Sequence, residues 1–209
     1  MSVKPIKADG PRMGKGRRIG KHAWVFEAIT AIKKGGISAV NVNALAASLK
    51  ASRNSFYIHY KNRQDLLDAL LCEWRSVSIK AYEHAISEIP ADGLEELEAL
   101  IDMWIHDKDI DPAFDLAVRD WARFSKKVAK TVREVDEMRI SALRNMFLSL
   151  GYDDNVALVR ARIAFTQQIG YYVLGIKETR KRRIQLAPIY IDILWGDTLR
   201  PDTVKKRRT

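Results

Sequence analysis

The chain has 209 residues, 47% of them hydrophobic, which suits one large domain or a small module joined to a medium one. Its single cysteine, Cys72, excludes a disulfide framework and a cysteine-based metal site, and no apolar run approaches the roughly 18–20 residues of a membrane span. The net charge is +10, and residues 1–63 carry thirteen Lys and Arg against only Asp9 and Glu27, which leaves residues 64–209 at −1 and points to a polyanion at the N-terminal end.

Residues 1–18, MSVKPIKADGPRMGKGRR, have little to bury and read as a flexible basic arm; without an apolar signal-peptide core, a cytoplasmic protein is expected. From Gly20 the pattern turns helical. Trp24, Val25, Ala28, Ile29 and Ile32 share a face, and Gly35-Gly36 is placed to stop that helix. Asn41 can cap a short helix over 42–49, and Ser52 another over 52–58. A long fourth helix, capped by Asn62, carries Leu66, Leu67, Leu70, Leu71, Trp74, Val77 and Ala81 at helical spacing until Pro90, with Cys72 expected as a small buried hydrophobe on its apolar side. Further helices are expected near 93–106, 112–124, 126–150, 154–178 and 185–196, punctuated by Asp92-Gly93, Asp111-Pro112, Gly151 and Pro188. The chain reads as all-α, with about nine helices: a three-helix head followed by a larger bundle.

A helix at 42–49, a tight connection at Lys50-Ala51 and a helix at 52–58 have helix-turn-helix spacing, in which the second helix of the pair enters the DNA major groove. That helix would present Arg53, Asn54, Ser55 and Tyr57 and turn Phe56 inward. A small helical bundle with a polar surface has the same spacing, so the pattern alone leaves both readings open.

The residues from Tyr57 to Leu67, YIHYKNRQDLL, are similar to the Y-x-H-[FY]-x-x-[KR]-x-x-L signature of the TetR-like bacterial transcriptional regulators. LAASLKASRNSFY, Leu45 to Tyr57, resembles the family's I-A-x-x-A-G-V-S-x-G-x-L-Y, and Ala28 and Gly36 also fit; the resemblance spans roughly residues 20–70. Two positions depart from it. Lys50 stands where the family has its turn glycine, and Asn54 where it has a glycine inside the recognition helix. Asn54 adds a group that can pair with a base, adenine by geometry.

The resemblance implies double-stranded DNA, in the form of a palindromic operator, as partner. Tyr57 and His59 correspond to phosphate contacts, and Lys61 lies where its amide and the start of the fourth helix can hold a phosphate. Asn41, Asn43 and Ser52 lie at the starts of the second and third helices, and Tyr60 is expected to pack between the third and fourth. The arm residues Lys15, Arg17, Arg18 and Lys21 would reach phosphates or the minor groove, or remain a solvated tail. The domains expected are the arm (1–18), the helix-turn-helix head (19–62), an effector-binding and dimerisation body (63–200) and a basic tail (201–209).

One reading head cannot select a site in a genome, so a homodimer is expected. The family pairs through its last two long helices, and Ala157, Arg160, Ala161, Ala164, Gln168, Tyr171, Ile189 and Ile193 are the expected interface, although ordinary packing within the chain explains the same stripe. The family also keeps an apolar effector cavity in the bundle. Trp74, Ser78, Met103, Trp104, Arg119, Trp121, Phe165, Gln168 and Tyr172 are the candidate lining, for a small apolar or aromatic effector. A repressor released by that effector is the expected function, and a DNA-binding protein without an effector, partner-controlled or architectural, is the alternative.

No enzyme, cofactor, metal or membrane role is expected. Asp107, Asp109 and Asp111 form a D-x-D-x-D run, but Pro112 replaces the glycine and Val118 the closing glutamate of a calcium loop, so Asp111 reads as a helix cap. GPRMGKG lacks the spacing and the Ser or Thr of a phosphate-binding loop, and no G-x-S-x-G or H-E-x-x-H occurs.

Overall fold

The computed structural model describes residues 19–87 and 94–195; among them lie nine α-helices and no strand. The head comprises α1 (Lys21–Ala39), α2 (Val42–Ser48) and α3 (Arg53–Tyr57), and α4 (Arg63–Ser87) leads out of it. α1 buries Trp24, Val25, Ala28 and Ile32. The expected stop at Gly35-Gly36 is instead a kink: both residues leave helical geometry, Gly36 at φ 68°, and one more turn follows before Val40 enters the core. Asn41 accepts the amides of Asn43 and Ala44 at the start of α2, and Ser52 accepts that of Ser55 at the start of α3. α2 closes through Lys50 at φ 51°, whose amide bonds Ala47 while that of Ala51 bonds Ala46.

The body comprises α5 (Leu94–His106), α6 (Pro112–Ala122), α7 (Lys126–Ser149), α8 (Asp154–Val173) and α9 (Arg180–Trp195). Asp111 caps α6 by accepting the Phe114 amide, with Pro112 in the first turn where its missing N–H costs nothing. α8 ends five residues before the expected 178. Gly175, at φ 60°, turns the chain back so that its amide and that of Ile176 bond the carbonyls of Tyr172 and Tyr171. α9 starts earlier than expected, where the Thr179 hydroxyl accepts the Arg182 amide, and it runs through Pro188.

Two apolar clusters hold the chain together. The first joins the head to Leu66, Leu67, Leu70, Leu71 and Trp74 of α4, to Phe114, Val118 and Trp121 of α6, and to Val128, Val132 and Val135 of α7. It runs without a break across residue 62, so a division there is one of roles and not of packing. The second joins Ala81 and Tyr82 of α4 to α5, the rest of α7, α8 and Leu194 of α9. Cys72 is exposed, contrary to the expectation of a buried position, because the apolar face of α4 falls on Leu70, Leu71 and Trp74 to either side of it.

Candidate DNA-binding face and ligand cavity

The reading helix rests on a tight aromatic base. The Phe56 ring, fully buried, meets Trp24 edge-on with centroids 5.2 Å apart and stacks on Tyr60 at 5.5 Å. This anchoring leaves Arg53, Asn54 and Tyr57 on the outer side of α3, all exposed, with Ser55 half-buried. Lys21, Asn43, Lys50 and Lys61 are exposed as well. Glu27, the one acid of residues 19–63, is half-buried and accepts a hydrogen bond from Ser48 at 2.6 Å. The exposed charge of this face is therefore cationic, as an approach to phosphates requires.

Other expected contacts do structural work. The Nε2 of His59 donates to the Ile19 carbonyl at 2.8 Å, and the Tyr60 hydroxyl donates to the Lys21 carbonyl at 3.2 Å. Together they pin the root of the basic arm to the end of α3; Lys15, Arg17 and Arg18 lie outside the described residues. The Lys61 amide donates to the Asp65 carboxylate at 3.0 Å, while Asp65 donates its own amide to Asn62. That reciprocal cap occupies the amide expected to hold a phosphate and leaves only the Lys61 ammonium for the task. Asn41 likewise spends its carbonyl oxygen on capping α2. Arg63, at the [KR] position of the signature, was assigned no role from sequence. Its guanidinium donates to the carbonyls of Val40 (2.6 Å) and Ile37 (2.7 Å), closing the α1–α2 connection.

In the body, a cavity of about 530 Å³, open solvent included, lies between α4, α6, α7 and α8. Trp74, Tyr82, Trp104, Phe114 and Tyr172 supply aromatic walls, and Ile110 and Ile169 aliphatic ones. Among the described residues three polar side chains are fully buried, Ser78 (6% exposed), Arg139 (7%) and Gln168 (6%), and all three line this cavity. Of the expected lining, Trp74, Ser78, Trp104, Gln168 and Tyr172 are there; Met103, Arg119, Trp121 and Phe165 are not. Met103, Trp121 and Phe165 are core side chains, and Arg119 is locked in ion pairs. Arg139 was missed, although a signal existed: it interrupts the inward stripe Val132, Val135, Leu143, Met146 of α7 with a charge.

At the cavity wall, which Asp115 and Arg139 help to line, lies a paired cluster. Asp115 accepts from Trp74 Nε1 (3.2 Å), Arg119 (2.6 Å) and Arg139 (3.2 Å), and Asp136 accepts both terminal nitrogens of Arg119 at 2.8 and 2.7 Å. Burial pulls the Arg119 pKa down, but the hydrogen bonds and charges of Asp136 and Asp115 outweigh it and hold it well above the usual value. Burial raises the Tyr82 hydroxyl above its ordinary range, and burial with the Asp107 carboxylate beside it does the same for Tyr172. A second cavity, against α9, shares Trp104 and Gln168 as a common wall.

Residues 27–70, most of the head and the first turns of α4, match the family model of bacterial regulatory proteins, tetR family. The head is therefore of the tetR-family type. The fold agrees. A protein of Pseudomonas aeruginosa PAO1 assigned as a transcriptional regulator superposes with a TM-score of 0.63 at 14% identity, covering 84% of this chain and 90% of its own. The fatty acid degradation regulator FadR from Bacillus halodurans gives 0.63 at 15% identity, over 90% of this chain and 100% of that one. A protein of Rhodococcus sp. assigned to the TetR-family transcriptional regulators gives 0.61 at 17% identity, over 84% and 98%. At such identities the likeness speaks for the fold alone. No curated protein matches the sequence. Heads of this family bind DNA, and no described helix of this chain is long and apolar enough to cross a membrane.

The expected pairing surface needs correction. Ala157, Ala161 and Ala164 are 0% exposed and Gln168 6%, all buried within the chain, where small side chains let α7 and α8 approach closely. Arg160 stacks on the Tyr152 ring at 4.4 Å and donates to the Leu194 carbonyl, and Tyr171 is half-buried under Arg183. None of these four buried residues can meet a partner without unpacking the bundle. Ile189 and Ile193 are exposed, and so are Val156, Val159 and Ile163, one helical stripe on the outer side of α8.

Proposed function

We propose that the chain is a homodimeric repressor that holds a palindromic operator and releases it when a small, largely apolar or aromatic effector occupies the body cavity. The observation that carries the proposal is α3: capped by Ser52 and seated on Trp24, Phe56 and Tyr60, it holds Arg53, Asn54 and Tyr57 outward on a cationic, acid-free face. In this reading Arg53, Asn54 and Ser55 address base edges. Tyr57, Lys61, Asn43 and Lys21 address phosphates with the arm, while His59, Asn41 and Ser52 position them. The head acts over residues 19–62, the body over 63–200, and the chain carries out no chemical step of its own. It would work where the DNA is, in the cytoplasm.

Val156, Val159, Ile163, Ile189 and Ile193 form the surface proposed for the second copy, since an apolar stripe of this kind is otherwise a liability in water. The cavity reaches the head by two routes. α4 runs directly from the head to Trp74 and Ser78, and Asp111, at the cavity mouth, bonds Lys33 of α1 at 2.6 Å. An effector that favours the arrangement with mismatched heads, by on the order of 1–3 kcal/mol, would shift the population off DNA.

A footprint on the DNA just upstream of its own gene tests the reading. A protected palindrome with two chains bound, lost on adding a cavity ligand, is expected. One chain per site, or a DNA complex indifferent to every ligand that demonstrably binds, sinks it. Tyr57→Ala should weaken the specific complex with the fold intact, and Lys61→Ala should weaken all DNA and lower the salt slope by about one.

A further inference from the structure

The cavity says something about its own ligand, and this inference rests on the effector reading above. Deeply buried polar groups are normally paired, because an orphaned donor has lost its water and gained nothing in return. Among the described residues five buried side-chain nitrogens have no partner, and two of them, Arg139 Nε and Gln168 Nε2, belong to residues that line this one cavity. Both are donors. The acceptors nearby are already used: Asp115 takes three hydrogen bonds, and Asp111 serves the Phe114 amide and Lys33. Gln168 also borders the second cavity, but Arg139 lines only the first, which fixes the site.

What is missing at this wall is therefore an acceptor. Charge decides which kind. The guanidiniums of Arg119 and Arg139 are matched by the carboxylates of Asp115 and Asp136; at the cavity's edge Asp111 is paired with Lys33, and Asp109 adds one further anion. A carboxylate ligand would enter an apolar, desolvating site that offers no net positive charge, which is costly; a cation could meet the carboxylates that line the cavity but would leave both unpartnered donors unsatisfied. A neutral oxygen on a flat π-system avoids both penalties. The Trp74 and Tyr82 rings, with the Arg139 guanidinium 5.8 and 5.5 Å from their centroids, set that oxygen's donor among aromatic faces.

We propose that the cavity takes a neutral aromatic ligand bearing a carbonyl-type oxygen, which accepts hydrogen bonds from Gln168 Nε2 and Arg139 Nε, and that it discriminates against the corresponding carboxylate.

Three probes of one shape test this on the full-length protein by titration calorimetry: 2-acetonaphthone, 2-ethylnaphthalene and 2-naphthoate. The ketone should bind at least roughly tenfold more tightly than the hydrocarbon, about 1.4 kcal/mol, and the carboxylate most weakly. Gln168→Met, which keeps the volume and removes the donor, should cut ketone affinity several-fold and leave the hydrocarbon unchanged. A carboxylate that binds as well as the ketone, a ketone with no advantage over the hydrocarbon, or no binding by any probe overturns the proposal; the three-probe comparison on the native protein stands even if the variant does not fold. Gel shifts run in parallel separate the two readings. If the ketone binds through Gln168 but leaves operator DNA bound, the effector reading fails and the ligand inference holds. If hydrocarbon or carboxylate binds and releases DNA with no preference for the ketone, the inference fails and the effector reading holds.

Discussion

The head and the body differ in what they bury. Inside the head the largest buried side chains are Trp24, Phe56 and Tyr60, and the polar groups that anchor it end on backbone: His59 on Ile19, Tyr60 on Lys21, Arg63 on Val40 and Ile37. The body instead sequesters Ser78, Arg139 and Gln168 around a cavity and backs them with the Arg119 guanidinium and the carboxylates of Asp115 and Asp136. Backbone partners shift only when the chain path itself shifts, so the head is a rigid reader. Side-chain partners around a cavity can be rearranged by whatever fills it, and a switch needs that property.

The largest expected effects break each half in its own way. Asp115→Ala removes the acceptor shared by Trp74, Arg119 and Arg139 and leaves buried cations under-paired, so unfolding by denaturant should show a loss of about 3–5 kcal/mol. Phe56→Ala empties the centre of the head, for about 3–5 kcal/mol as well. The two differ in their readout. Phe56→Ala should abolish operator binding at temperatures where the body still binds a cavity ligand, and Asp115→Ala should impair the ligand first. Parallel losses of both activities in both variants would mean that head and body do not differ as argued.

How much of this was legible in the sequence follows the same divide. The head could be read because its signals are local: Asn41 and Ser52 cap the helices they precede, and the signature from Tyr57 to Leu67 fixes the register. Even there the free Lys61 amide was misjudged, since Asp65, four residues on, returns to cap it. In the body the helices were legible from spacing, but their contents were not. A stripe of Ala157, Ala161 and Ala164 permits close approach of any helix, and only the folded chain shows that α7 is the one that comes. Arg119 and Arg139 look alike in sequence. Arg119 is taken up by Asp115 and Asp136 from two helices, whereas Arg139 keeps one nitrogen free at the cavity.

A smaller effect sharpens the contrast at alkaline pH. Burial raises the pKa of Tyr82 in the body and of Tyr60 in the head. The unfolded chain releases these protons near pH 10 while the folded one retains them, so stability is full below that pH and declines above it, until the folded pKa is reached. Each such tyrosine contributes at most about 1.4 kcal/mol per pH unit. Denaturant curves between pH 9 and 11 should show the decline, and Tyr82→Phe and Tyr60→Phe should each flatten it. A variant that leaves the decline unchanged would mean that its tyrosine is not held neutral by burial.

The smallest expected change concerns how helices close. α7 and α8 end on glycines with positive φ, whereas α2 ends on Lys50 at φ 51°, a conformation that costs an L-residue about 1–2 kcal/mol. Lys50 is exposed, so Lys50→Gly removes no packing; part of the relief is offset by the greater freedom of glycine in the unfolded chain. A net gain of about 0.5–1 kcal/mol in head stability is expected. If Lys50 is there for DNA, the same variant should bind operator more weakly with a shallower salt dependence, because one cation beside the reading helix is gone. More stable and equally tight would make the lysine a tolerated accident of the turn; more stable and looser would show strain held at the reading head for the sake of a phosphate.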